Sequence, residues 1–86
     1  MNSDTPRALS EFEEQILAFE SQWFHRAGAK ESEIRDQFDL SPTRYYELLN
    51  QLIDREEALA KEPVLVARLR RIRQERLAQR QDRPSI

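Results

Sequence analysis

Eighty-six residues allow one domain with a modest core, because a short chain buries a smaller share of its surface than a long one. Hydrophobic residues make up 38% and charged residues 35%, with one glycine, four prolines and no cysteine; this favours helices on short turns and excludes a disulfide framework or a thiolate zinc site. The formal net charge of −2 conceals two opposite halves: residues 1–62 hold 7 basic and 14 acidic side chains, hence −7, and residues 63–86 hold 7 arginines and 2 acids, hence +5.

The first eight residues, "MNSDTPRA", have nothing to bury and are expected to be disordered. They carry neither a basic start nor an apolar run, and no stretch approaches the roughly 20 apolar residues that cross a bilayer, so a cytoplasmic protein is expected. In "SEFE", Ser10 reads as an N-cap with Glu13 three residues on, the reciprocal capping box that satisfies two backbone donors. Phe12, Ile16, Phe19, Trp23 and Ala27 then recur at helical spacing, widened by Leu17 and Phe24, and Gly28 stands where a left-handed helix stop belongs. A first helix over Glu11 to Ala27 follows, with Trp23 in the core and His25 as a favourable charge near its end.

"ESEIRDQFDL" places Ile34 and Phe38 one turn apart among charges, which predicts a short second helix of two turns. Ser41-Pro42 reads as an N-cap with proline in the first turn, where its fixed φ fits and its missing N–H is not needed. Behind it Tyr45, Leu48, Leu49, Leu52 and Ile53 give a third helix with a wide apolar face. "DREE" repeats the capping pattern, Asp54 reaching forward and Glu57 back, and predicts a short helix from Arg55 to Lys61. Pro63 opens the last helix, in which Leu65, Leu69 and Ile72 make a narrow seam among arginines, with a frayed end beyond Leu77. The expected fold is therefore all-α, a small domain of four to five helices over residues 9–73, with a basic C-terminal helix end and tail over 74–86.

The second and third helices, joined by about three residues, suggest a helix-turn-helix, whose helices cross at roughly 90–120°. Ile34, Phe38, Leu40, Tyr45 and Leu48 fall on the positions where that motif needs apolar side chains. Arg35 stands where a small residue is usual and Asp39 where the turn often has glycine; aspartate tolerates such turns. Trp23, "AGAKE" at Ala27 to Glu31, "SPTRYY" at Ser41 to Tyr46, "LIDR" at Leu52 to Arg55 and "LVARLRR" at Leu65 to Arg71 together resemble a family of short actinobacterial proteins of unknown function described as helix-turn-helix-like. The resemblance covers about residues 9–73, implies DNA binding by analogy, and implies no catalytic residue.

On that reading the third helix, about residues 42–53, enters the major groove. Its outer face presents Thr43, Tyr46, Glu47 and Asn50 to base edges: Asn50 matches adenine, Glu47 cytosine N4 and Thr43 the thymine methyl. Ser41 and Arg44, at the helix start, suit phosphate. Arg68, Arg70, Arg71, Arg73 and Arg76 of the last helix add phosphate contacts, since such a density of like charge calls for an anionic partner. The leading expectation is a transcriptional regulator or nucleoid-associated factor on double-stranded DNA, and a homodimer joined along the Leu65, Leu69, Ile72 seam would widen its site. The alternative from another class is an adaptor that docks on RNA polymerase or a sigma factor. No nucleophile with a base, paired carboxylates or phosphate loop points to an enzyme, and one histidine without a carboxylate cage points to no metal or cofactor.

Overall fold

The computed structural model describes residues 8–23, 26 and 28–81. They form α1 (Glu11–Trp23), α2 (Lys30–Phe38), α3 (Pro42–Leu52), α4 (Glu56–Lys61) and α5 (Pro63–Gln81), with no strand among the described residues. Arg26 is described and is not helical, so α1 stops short of the expected end at Ala27; the expectations for residues 1–7, Phe24, His25, Ala27 and 82–86 lie outside the described residues.

The helix starts follow local chemistry. Ser10 N–H donates to Glu13 Oε1 at 2.8 Å and Glu13 N–H to Ser10 Oγ at 3.0 Å, closing the expected capping box. Ser41, extended at φ −69°, accepts from the Arg44 N–H at 3.2 Å, with Pro42 in the first turn. Pro63 opens α5 in the same way. Between α2 and α3 the chain turns through Asp39, Leu40 and Ser41, and Asp39 is left-handed at φ 56° with its N–H on the Arg35 carbonyl. Aspartate does there what glycine often does. Gly28 has φ 128°, a conformation L side chains rarely adopt.

One expected cap is not formed. Asp54 does not cap α4; the N-cap residue is Arg55, with no side-chain cap bond, and the helix starts one residue later, at Glu56. Asp54 instead accepts from Arg73 Nη2 at 2.6 Å, a charge-assisted bond that ties the α3–α4 turn to α5. That bond, followed by the Arg73 charge, holds its carboxyl below the usual range.

The core gathers one face from each helix: Ile16, Leu17 and Phe19 of α1, Ile34 of α2, Tyr45, Leu49 and Leu52 of α3, Ile53 after it, Ala58 of α4, and Leu65 and Val66 of α5. Trp23, expected in the core, packs against it half-buried. Phe19, Phe38 and Tyr45 pack as a triangle with centroids 5.3–5.7 Å apart, a separation in the favourable range for aromatic pairs. Charged bonds brace the outside: Arg55 Nη1 donates to both oxygens of Glu13 at 2.8 and 2.9 Å, and Lys61 Nζ to Glu14 at 3.2 Å. Both tie α1 to the α4 region.

Ser41→Ala is expected to lower unfolding free energy by about 1 kcal/mol, measured by urea denaturation, whereas Ser32→Ala, an exposed change within α2, stays within about 0.5 kcal/mol. Equal effects would show that the α3 start does not depend on its cap.

Candidate interaction surface

Glu20 is a charge on an otherwise apolar stripe, since it shares helical spacing with Ile16, Phe19 and Trp23. It is 4% exposed, and a buried carboxylate is costly unless fully partnered. Two helices supply the partners. Tyr45 Oη of α3 donates to Oε2 at 2.6 Å, and Lys30 Nζ at the start of α2 lies 3.2 Å from Oε1 and 3.0 Å from Oε2. Burial first, and then the Glu20 charge and the bond to it, push the Tyr45 phenol far above its ordinary value. The sequence reading missed Glu20, although its place on the stripe was visible.

The adjacent tyrosine is held differently. Tyr46, expected on the outer face, is half-buried. Its ring stands edge-on to Tyr45 at 5.2 Å, and Lys30 Nζ lies 5.3 Å from its centroid, a cation–π distance. The other expected base-facing residues, Thr43, Glu47 and Asn50, are exposed, as are Ser41 and Arg44. Arg44 Nη1 is paired with Glu47 Oε1 at 3.2 Å across one turn, both side chains more than half exposed.

The arginines of α5 divide into groups. Arg70 Nε donates to the Ile53 carbonyl, and Arg73 donates both to the Asn50 carbonyl at 3.2 Å and to Asp54. These two cations sit on the C-terminal carbonyls of α3, where the helix dipole favours positive charge. Arg68, Arg71 and Arg76 are exposed. The structure therefore brings Ser41, Thr43, Arg44 and Glu47 together on the first turns of α3, and sets Arg70 and Arg73 on its far end.

Between α3 and α5 runs an open groove of about 540 Å³. Trp23, Tyr46, Leu49, Leu69, Ile72 and Leu77 give it apolar walls, Asn50 stands at its side, and Lys30, Arg68, Arg73 and Arg76 line it with positive charge. Glu20 is the one acid in the lining among the described residues. The indole Nε1 of Trp23 is buried without a hydrogen-bond partner among the described residues. No group of histidines or acids among the described residues could hold a metal, and no helix among them is long and apolar enough to cross a membrane.

The family model for DUF3263, proteins of unknown function, matches residues 8–81, from the start of the described chain to the end of α5. The chain belongs to that family. The match takes in the groove, the α2–α3 pair and the full α5 helix. No curated protein and no solved structure matches the chain.

Tyr45→Phe removes one of the two bonds that hold the buried carboxylate, and is expected to cost about 1–3 kcal/mol by urea denaturation at neutral pH. Because the folded phenol ionises above its unfolded value of 10.0, its contribution is complete below that pH and declines as the pH rises past it. The native protein should therefore lose more stability than Tyr45→Phe between about pH 9 and 11. Parallel losses would remove the Tyr45–Glu20 bond from the account.

Proposed function

We propose that the chain binds double-stranded DNA through a helix-turn-helix formed by α2 and α3. The observation that carries this reading is the pairing of a pinned inner face with a bare outer one. Ile34 and Tyr45 are fully buried, which fixes both helices, while Thr43, Arg44 and Glu47 on the first turns of α3 are exposed. Recognition helices contact base edges with their N-terminal residues, so the available end of α3 is the useful one.

In this reading Thr43 and Glu47 meet base edges, with Asn50 further along the same face. Ser41, Arg44 and the α3 N-terminus take phosphate, where backbone N–H groups and the helix dipole favour an anion. Exposed Arg71 of α5 adds a further phosphate contact. Arg70 and Arg73 are better understood as caps of α3, because their donors are already on its carbonyls and on Asp54. Regulation of transcription or organisation of the nucleoid would both use such a binder.

Fluorescence anisotropy on a pool of labelled duplexes tests the reading. Binding is expected at micromolar protein in low salt, weakening steeply as salt rises. Arg44→Ala should weaken all sequences alike, and Thr43→Ala or Glu47→Ala should alter preference at one position by about 1–3 kcal/mol. Absence of binding to every duplex at low salt overturns the proposal.

A further inference from the structure

From the groove between α3 and α5, we infer a second interaction surface, one that takes an acidic amphipathic helix from a protein partner. This goes beyond DNA binding and uses the neighbouring flank of α3, which meets the base-facing one at Asn50.

The shape indicates a helix. Along α5 the lining runs from Arg68 to Leu77, and along α3 from Tyr46 to Ile53, which at 1.5 Å per residue gives walls of about 10–14 Å. That length accommodates apolar anchors at i, i+3 or i+4, and i+7 of a partner helix. The apolar walls would receive those anchors. A phosphodiester chain offers nothing comparable to fill them.

The charge indicates an acid. Among the described residues the lining carries four cations, Lys30, Arg68, Arg73 and Arg76, against Glu20, in a protein whose net charge is −2. Lys30 and Arg73 also serve internal acids. Lys30 is matched by Glu20 and Arg73 by Asp54, so the positive field of the groove rests on its α5 wall, where Arg76 is exposed. Carboxylates flanking an apolar stripe on the partner would meet that field, which sets orientation and association rate.

Trp23 supplies the readout, being the only tryptophan of the chain and part of the groove wall. The full chain is titrated with three synthetic peptides, monitored by Trp23 emission: a helical one with a leucine stripe flanked by glutamates, the same peptide with lysines for glutamates, and the acidic peptide with its stripe scrambled. The acidic amphipathic peptide is expected to bind at micromolar concentration and shift the emission. Arg76→Glu, an exposed change outside the core, should weaken it about tenfold, and Leu77→Asn, at a 43% exposed leucine, should weaken it without altering far-ultraviolet circular dichroism.

Equal binding of the lysine or scrambled peptide, or unchanged affinity in both variants, overturns the inference. So does displacement of the acidic peptide by single-stranded or duplex DNA with the same Arg76 dependence, which would make the groove a nucleic-acid site. Self-association by sedimentation that Leu77→Asn abolishes would assign the groove to a second copy. The peptide titration contains no DNA, and the Arg44, Thr43 and Glu47 variants lie outside the groove, so the two readings stand or fall separately.

Discussion

The arrangement depends on one buried carboxylate. Glu20 sits within the aromatic core of a domain too small to carry an unpaired charge, and a buried ion that loses its partner costs about 3–5 kcal/mol. Its two partners come from different helices: Lys30 opens α2 and Tyr45 lies in the second turn of α3. The phenol can reach Glu20 only if α3 is rotated to bury Tyr45, and that rotation fixes every other face of the helix. Thr43 and Glu47 go to solvent, Leu49 and Leu52 go inward, and Tyr46 falls between the two. The α2–α3 geometry is thus set by a polar requirement as well as by the apolar stripe.

A second constraint acts at the other end of α3. The last carbonyls of a helix have no intrahelical N–H donors, and here Arg70 and Arg73 of α5 donate to the carbonyls of Ile53 and Asn50. This gives a structural reason for part of the arginine density in the basic half. Attraction between the acidic and basic halves is partly consumed within the fold, through Asp54 and Arg73, and part of the acidic charge is matched inside its own half, as Glu13 is by Arg55. For Glu13, burial opposes ionisation but is outweighed by the bonds from Ser10 and Arg55, leaving its carboxyl below the ordinary range. The overall charge of a half is therefore a poor guide to the field at its surface, whereas the cations along the groove describe that field locally.

What the sequence made legible was what short-range chemistry decides. Ser10 with Glu13, Ser41 with Pro42, and Pro63 act within one turn of themselves, and each marks a helix start within a residue. Asp54 has the same local grammar as Ser10 but does not cap, and its partner, Arg73, is nineteen positions away. Glu20 is hidden for a related reason: periodicity reads apolar residues, and a glutamate inside the stripe carries meaning only when a phenol twenty-five positions on is placed against it. The exposed Thr43, Arg44 and Glu47 were legible from the phase of α3 alone. The half-burial of Tyr46 was not, since that flank depends on contacts from outside α3.

The adjacent tyrosines show how the two constraints divide one helix into three surfaces. Tyr45 is drawn inward by Glu20. About 100° away around the helix, Tyr46 cannot share that environment, yet it is too apolar to be left wholly in water; its ring rests on Tyr45 and under Lys30. Lys30 therefore touches both the buried carboxylate and the wall of the groove. The cation that permits a charge in the core also lines the groove, so part of this outer surface is a consequence of how the interior is satisfied. The flank that carries Thr43, Arg44 and Glu47 has no such tie to Glu20: the Arg44–Glu47 ion pair is exposed and local, and exposed pairs of that kind contribute little to stability. That flank is accordingly the part of α3 whose residues can vary with function while the fold stays fixed.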